Sequence, residues 1–280
     1  MNNTFKVITF DVEHGSSHVI ITPNNQVVMI DAGSRADFSP AHHLRYVWGH
    51  TQLRWLTVTH HDSDHLTDIN NIAEHFLPLT LEQPTIDPLQ LALLYPAGFS
   101  TPLEVFLEFR KNYTLPVPPM SDPIYPWGGV QFATFKNEYH ELASPNMNDM
   151  SVVTFASFQG WTFIFPGDLE KQGWLKLLEN EDFRDMVQRT SVFVASHHGR
   201  ESGFCQEVFQ YCTPNLVIIS DKSMTDTSCT DEYRQNVLLP GLQVKNKLGQ
   251  FETRRVLTTR NDGAIFAEID AEGRGFFTIE

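Results

Sequence analysis

An apolar segment at residues 55–59 runs directly into a dense group of potential metal ligands, the heptapeptide THHDSDH of residues 59–65. The ligating side chains in it are His60, His61, Asp62, Asp64 and His65. Imidazole and carboxylate groups together suit zinc or manganese. So many ligands on a short loop exceed the needs of one ion and could serve two ions about 3.5–4 Å apart. The alternative is a solvated turn in which Asp62 or Ser63 caps the next helix.

Two later segments repeat this order of apolar strand followed by acid or histidine. Asp168 follows the apolar residues 162–165, and the pair His197-His198 follows residues 192–195. Taken alone, Asp168 is more often a helix cap, and a histidine pair in a loop is more often a surface feature. Ligands from the ends of separate strands converge on one rim in α/β proteins, so the shared order favours a single metal site.

Apolar runs and turn signals predict strands and helices in both halves of the chain. The first half is expected to form strands at residues 7–10, 18–22, 27–30 and 55–59, and helices at residues 40–48 and 66–76. The second half is expected to form strands at residues 151–157, 161–165, 192–195, 217–220, 254–259, 264–269 and 276–279, a helix at 170–178 and a turn at 261–263. These elements predict a sandwich of two sheets between helices.

The chain of 280 residues is long enough for a sizeable core, and we expect residues 1–280 to form a single domain. Residues 77–128 are rich in proline and have a different texture. They are predicted to be an insertion near the site, with a plain surface connection as an equal alternative. Within them, LALLYP at residues 91–96 looks like a strand and residues 102–112 look like a helix.

The net charge of −14 argues against a free-standing nucleic-acid binder, since phosphate contacts need Lys and Arg. A local basic groove, or a partner that brings the substrate, remains compatible with it. Cys205, Cys212 and Cys229 have no CxxC spacing, so a disulfide framework is not expected. No run reaches the ~18 apolar residues of a membrane span. A cytoplasmic protein without a membrane partner is predicted.

These motifs, in this order, resemble metallo-β-lactamase-fold hydrolases, and among them the hydrolase domain of ComEC-like DNA-uptake competence proteins. The family's DVGQG and IDAG correspond to residues 11–15 and 30–33. Its HxHxDH corresponds to residues 60–65, in the variant HxDxDH, and its GD and HHG to residues 167–168 and 197–199. The resemblance implies an α/β fold, the αββα sandwich of two mixed β-sheets flanked by helices.

The resemblance also implies two divalent metal ions, Zn or Mn, and a role for each matching residue. His60 and Asp62 would hold the first ion. The second ion would be held by Asp64, His65 and His198, and Asp168 would bridge the two. Catalysis would rest on Asp64, His65 and Asp168, with Asp64 orienting a water activated by both ions or taking its proton. Asp31 would steady the histidine loop.

The chain departs from the family pattern at several positions. The usual third-motif histidine is absent from PNMNDMS, where Asn146, Asn148 and Asp149 are the nearest candidates and His140 is a more distant one. Asn148, His197 and His14 are candidate ligands or supports of the ligands, and His14 replaces a glutamine. Arg35 and Arg200 each follow a motif, and either could bind a phosphate or be a solvated loop residue. Asp62 in place of histidine shifts the metal preference towards manganese.

The predicted function is a metal-dependent hydrolase, and the resemblance implies a phosphodiesterase or nuclease that acts on DNA or RNA. The acidic net charge favours an alternative, the hydrolysis of a small phosphodiester, ester or amide. A third hypothesis is a metal-stabilised, non-catalytic subunit of a larger assembly, such as one for defence against foreign DNA. The expected partners are nucleic acid or a small phosphodiester as substrate and, under the third hypothesis, another protein.

Overall fold

The computed structural model describes residues 4–222 and 228–280, and within these ranges the chain forms fifteen strands and eight α-helices. The strands are β1 (Phe5–Thr9), β2 (His18–Ile21), β3 (Val27–Ile30), β4 (Trp55–Thr57), β5 (Leu81–Glu82), β6 (Gln131–Phe135), β7 (Val153–Phe158), β8 (Trp161–Phe165), β9 (Val192–Val194), β10 (Leu216–Ile219), β11 (Leu242–Lys245), β12 (Phe251–Arg254), β13 (Val256–Thr258), β14 (Ile265–Ile269) and β15 (Gly275–Ile279). The helices are α1 (Pro40–Tyr46), α2 (Ile69–His75), α3 (Pro88–Leu94), α4 (Thr101–Phe109), α5 (Lys171–Leu177), α6 (Glu181–Gln188), α7 (Thr230–Gln235) and α8 (Thr259–Asp262).

The strands of the described residues form two mixed sheets. The larger sheet has the order β12-β11-β15-β14-β1-β2-β3-β4-β5, and the smaller has the order β13-β10-β9-β8-β7-β6. One apolar cluster, which includes Phe5, Trp55 and Phe163, fills the space between the sheets. A second cluster joins the larger sheet to α1, α2 and α4, and a third joins the smaller sheet to α5, α6 and α7. The predicted αββα architecture is therefore confirmed.

The parallel strands bring the motif-bearing loops to one end of the sandwich. In the larger sheet β3 and β4 are parallel, and Asp31 and His60 follow them. In the smaller sheet β8, β9 and β10 are parallel, and Asp168 and His198 follow the first two of these. Because parallel strands end at the same edge of a sheet, ligands from both sheets meet at their carboxyl ends.

Most of the predicted elements are confirmed with ends shifted by a few residues, but two are wrong. Residues 91–96 are not a strand, because Asp87 caps α3 through a capping box with Gln90 and places Pro88 in the first turn. Residues 254–259 are not one strand, because the chain changes sheets at Arg255: β12 pairs with β11, whereas β13 pairs with β10. Among the described helices, none is long and apolar enough to cross a membrane.

Candidate metal centre

Two glycines allow separate loops to pack against the backbone of Asp64. A Cβ at Gly15, which has φ of 142°, would lie 2.5 Å from the Asp64 carbonyl oxygen. A Cβ at Gly33 would lie 2.8 Å from the same oxygen. The last residues of DVEHG and IDAG are therefore glycines because the loops touch there, and this contact fixes the backbone that carries Asp64 and His65.

Asp31 and Thr59 orient two of the histidine rings. Asp31 Oδ2 lies 2.7 Å from His65 Nδ1, and Asp31 accepts hydrogen bonds from the Thr59 backbone N–H at 2.8 Å and hydroxyl at 2.9 Å. The Thr59 hydroxyl also lies 3.1 Å from His60 Nδ1. Because the Nδ1 atoms are occupied in this way, both Nε2 atoms face the site. The neighbouring His61 is different, since its Nε2 lies 3.2 Å from Gln83 Oε1.

Four side chains from both sheets form a compact cluster. Ligand atoms of Asp64, His65, Asp168 and His198 all lie within 4.8 Å of one another. His65 Nε2 is 3.1 Å from Asp168 Oδ1, and His198 Nε2 is 3.2 Å from Asp64 Oδ2. The His198 ring is fixed from behind by Nδ1, which lies 2.9 Å from the Ser220 carbonyl oxygen. Two imidazoles and two carboxylates are a donor set that suits zinc or manganese.

His60 and His197 also lie near Asp168, and Asp62 lies near His60. His60 Nε2 is 3.8 Å from Asp168 Oδ2 and 3.7 Å from Asp62 Oδ2. His197 Nε2 is 3.7 Å from Asp168 Oδ2. The structure thus brings together all six residues proposed as ligands and His197 as well, and Asp168 lies near histidines of both proposed sets.

The buried histidine nitrogens test whether these residues fit metal ions. The Nε2 atoms of His60, His65 and His198 are buried, and none makes a well-formed hydrogen bond within the described residues, although carboxylate oxygens lie 3.1 Å from His65 Nε2 and 3.2 Å from His198 Nε2. A buried polar atom without a partner costs about 1–3 kcal/mol, so three such atoms around one carboxylate need a ligand. Divalent cations would satisfy all three, and the donor set therefore fits them.

The carboxylates and imidazoles of the cluster shift each other's pKa values. Burial opposes the charged form of His65, but Asp168, Asp31 and Asp64 outweigh it and raise the His65 pKa well above its ordinary value. Burial likewise opposes charge on His198, but Asp168 and Asp64 raise its pKa to about 9. Although burial also favours neutral Asp168, the imidazoles of His198 and His65 hold its pKa well below the usual range. These shifts favour protonated imidazoles while no ion is bound, and metal binding would release the protons.

Arg200 stands at the edge of the cluster, between two histidines. Its Nη2 lies 3.0 Å from His14 Nε2, and its Nη1 lies 3.3 Å from His197 Nε2. His14 Nε2 is itself 3.5 Å from Asp64 Oδ2. No ion pair joins Arg200 to an acid of the described ranges. Arg35, the other candidate arginine, is engaged elsewhere.

Two carboxylates neutralise Arg35. Its guanidinium lies 2.7 Å from Asp11 Oδ2 and 2.8 Å from Asp37 Oδ1. The two arginines follow similar motifs, yet only Arg200 contacts histidines of the cluster.

The segment PNMNDMS, where the family has its third-motif histidine, is connected to the site through Glu170. Asn148 Nδ2 lies 3.3 Å from Glu170 Oε1, which is 3.2 Å from His197 Nδ1, and the buried Asn148 Oδ1 has no partner among the described residues. Asp149 instead accepts hydrogen bonds from the Glu170 and Gly173 backbone at the start of α5. Asn146 Nδ2 contacts Asp149, and His140 is exposed.

Two contributors were missed by the sequence reasoning. The Tyr95 hydroxyl, at the end of α3, donates a hydrogen bond of 2.7 Å to Asp62 Oδ1. The proline-rich residues 77–128 therefore reach the site, although a tyrosine there has no spacing relation to any motif. Glu170 was detectable in principle, because it follows Asp168 by two residues in FPGDLE.

Comparison with solved structures supports the fold assignment. A diphosphatase of the PhnP family superposes with a TM-score of 0.50 at 9% identity, over 95% of this chain and 99% of that one. A protein from Parabacteroides distasonis ATCC 8503, described as a candidate metal-dependent hydrolase, superposes with a TM-score of 0.43 at 11% identity. The match covers 91% of this chain and 93% of that one. A metallo-β-lactamase from Cronobacter sakazakii (Enterobacter sakazakii) gives 0.36 at 19% identity, over 67% and 73%.

No protein-family model matches the sequence, and no curated protein matches it either. At such low identities the structural likeness extends to the fold alone. The chain thus has the metallo-β-lactamase fold with a His/Asp cluster compatible with metal binding, and the narrower ComEC-like resemblance stays a prediction.

Proposed function

We propose that this chain is a metal-dependent phosphodiesterase that acts on DNA or RNA with two divalent ions, zinc or manganese. The observation that carries the proposal is the position of the Arg200 guanidinium, beside a cluster with ligands for two cations. A cationic site with an arginine at its edge suits a phosphate group better than a neutral ester or amide. The PhnP-family protein of similar fold is a diphosphatase, which also supports phosphate chemistry.

The two ligand sets define how the ions would be held. His60 and Asp62 would hold one ion, Asp64, His65 and His198 would hold the other, and Asp168 would contact both. When bound, two such ions would supply an activated water and positive charge to stabilise the attacking and leaving oxygens of a phosphodiester. The Asp64 side chain is 22% exposed against 6% for Asp168, so Asp64 is the carboxylate better placed to orient a water and accept its proton.

Arg200 would orient the substrate rather than take part in bond making. Its guanidinium offers several N–H donors in one plane, which match two oxygens of a phosphate. The contacts with His14 and His197 hold that plane before substrate arrives, which lowers the entropy lost on binding.

The second candidate is the hydrolysis of a small phosphodiester, ester or amide. The net charge of −14 supports it, because a long polyanion is repelled by most of such a surface. The third, a non-catalytic metal-stabilised subunit, predicts bound ions without turnover.

The test is hydrolysis by the purified chain, loaded in turn with manganese, zinc and magnesium. The substrates are single- and double-stranded DNA, RNA, a chromogenic phosphodiester, a carboxylic ester and a lactam. We expect two ions per chain by elemental analysis, cleavage of phosphodiesters, and loss of cleavage on combined Asp64→Asn and His65→Ala changes. One ion at saturation would contradict the two-ion site, and cleavage of the ester or lactam alone would contradict the phosphodiester assignment.

Substitution of Arg200 tests phosphate recognition separately from metal binding. Arg200→Ala should lower kcat/KM for phosphodiesters about 10- to 100-fold, since hydrogen bonds to charged groups contribute about 1.5–3 kcal/mol. The bound metal should be retained. Arg189→Ala, which removes an exposed arginine at the end of α6, is the matched control. An equal effect of the two changes would show that Arg200 acts only through net charge.

A further inference from the structure

The hairpin of β11 and β12, at the edge of the larger sheet, differs in charge from the rest of the chain. Residues 241–255 contain four basic residues and one acidic residue, whereas the whole chain has a net charge of −14. Arg254 is paired with Asp262 at 2.9 Å. Lys245 and Lys247 are exposed, and neither pairs with an acid of the described part of the chain. The hairpin is thus a local basic surface.

The same hairpin exposes large apolar side chains. Leu248 at its tip is 82% exposed and Phe251 is 68% exposed. Phe251 pairs directly with Lys245 across the two strands, so an aromatic ring and an ammonium group stand side by side on the outer face. Val244, the residue before Lys245, faces the core and is fully buried. We call Lys245, Lys247, Leu248 and Phe251 the hairpin surface.

Strand register places the hairpin tip at the end of the sandwich where the metal centre lies. Lys245 is level with Thr278 of β15, whose neighbour Ile279 pairs with Ile265 of β14. Ile265 in turn pairs with Thr9, after which the chain continues to His14 beside the cluster. The tip therefore projects beyond the carboxyl end of β15, on the same side as the ligands.

A short path of contacts joins the cluster to the tip through the other sheet. His198 Nδ1 contacts the Ser220 carbonyl oxygen, and the next carbonyl, of Asp221, accepts a hydrogen bond of 3.0 Å from the Thr259 hydroxyl at the start of α8. The helix ends at Gly263, where a Cβ would lie 3.1 Å from Lys247 Nζ. The hairpin tip is therefore linked to His198 by a chain of contacts through Ser220, Asp221 and α8.

We infer that the hairpin surface binds a single strand of nucleic acid whose scissile phosphate lies at the metal centre; this rests on the proposed phosphodiesterase function. Lysines without acidic partners attract phosphates, and an exposed aromatic ring offers a stacking platform for a base. An acidic protein would match the lysines but has no base to stack on Phe251.

Binding is measured without turnover, so that its outcome is separate from that of hydrolysis. The full chain, in the presence of a chelator, is titrated into a fluorescein-labelled single-stranded DNA or RNA of about 16 nucleotides, and anisotropy is followed at several salt concentrations. We expect saturable binding. Combined Lys245→Ala and Lys247→Ala changes should raise the Kd about tenfold and reduce the salt slope by about 1.4.

Two further variants test whether nucleic acid binds at the hairpin surface. Phe251→Ala should raise the Kd about fivefold or more without changing the salt slope, because stacking carries no charge. Combined Lys111→Ala and Lys176→Ala changes remove the same charge from the segment that follows α4 and from α5, where each lysine already has an acidic partner. This control should leave the Kd within about twofold.

Three results would overturn the inference: no saturable binding, an equal effect of the two lysine pairs, or competition by poly-glutamate as effective as that by nucleic acid. The last result would identify an acidic protein as the partner. Hairpin-dependent binding by a chain that cleaves no phosphodiester would refute the proposed function and leave the binding surface established.

Discussion

Asp168 is the side chain on which the candidate ligands converge. Its oxygens lie 3.1–3.8 Å from the Nε2 atoms of His65, His198, His197 and His60. Among the candidate carboxylate ligands that the structure describes, Asp168 is the one that lies within 3.8 Å of histidines from both proposed ligand sets. Its charge therefore holds together four groups that would otherwise repel or remain unsatisfied.

We predict that Asp168→Asn removes metal binding and activity but not the fold. The amide keeps the size of the side chain and loses the charge, so bound metal should fall about tenfold or more while the far-ultraviolet circular dichroism stays unchanged. Metal content after gel filtration is the measurement. Asp37→Asn, at an exposed carboxylate, is the control. If Asp168→Asn retains wild-type metal and turnover, Asp168 serves only the backbone of its loop.

The side chains that meet in the cluster could be selected from the sequence because ligand type and strand end coincide in three segments, and their role as ligands stays a prediction. It could not distinguish Arg200 from Arg35, because each follows a motif and the difference arises only from Asp11 and Asp37 in three dimensions. Tyr95 was missed for a similar reason, since its contact with Asp62 depends on where α3 packs. Residue type and spacing fix which groups can bind a metal, whereas tertiary neighbours decide which charges remain available.

Among the elements, strands with a regular apolar pattern were predicted well, whereas positions where the chain changes its pairing strand were not. The buried strands β3 and β9 were expected within one residue of their observed ends. The strand expected at 254–259 breaks because Arg255 lies between two sheets, which no local pattern reveals. The hairpin of β11 and β12 was missed because most of its residues face solvent, so it lacks the apolar alternation of a half-buried strand.

The contribution of α3 to the site can be tested at Tyr95. Tyr95→Phe should leave the fold intact and lower the affinity for the ion next to Asp62 about tenfold, because Asp62 loses the hydrogen bond that orients it. Calorimetric titration with manganese is the measurement. Tyr113→Phe breaks a hydrogen bond to the Pro78 carbonyl within the same proline-rich segment and should not change metal affinity. Equal effects would mean that the segment acts through stability alone.

At the scale of the whole molecule, His18 links stability to pH. It is buried on β2, hydrogen-bonded to Thr9 and Ser16 and close to the Phe165 ring of the other sheet. Burial lowers its pKa to about 4 from the ordinary value of 6.5. Between these values the unfolded chain binds the proton and the folded chain does not. The contribution of His18 to stability is therefore fully present above pH 6.5 and falls as the pH drops towards 4.

We predict that the metal-free protein loses roughly 2 kcal/mol between about pH 7.5 and 5 through His18, because each unit of pKa shift corresponds to about 1.4 kcal/mol. Urea unfolding at both pH values is the measurement. His18→Gln should reduce the pH dependence by that amount, whereas His42→Gln, at an exposed histidine of α1, should not. An unchanged dependence in His18→Gln would assign the acid sensitivity to other groups.

The division of the cluster between the two sheets has a mechanical consequence. Asp64 and His65 follow β4 of the larger sheet, whereas Asp168 and His198 follow β8 and β9 of the smaller one. A cation bound by all four side chains would cross-link the two sheets at the end of the sandwich where the cluster lies. A ligand at a concentration a hundred times its Kd adds about 2.7 kcal/mol to the free energy of unfolding. The thermal stability of this protein should therefore depend on the supply of metal.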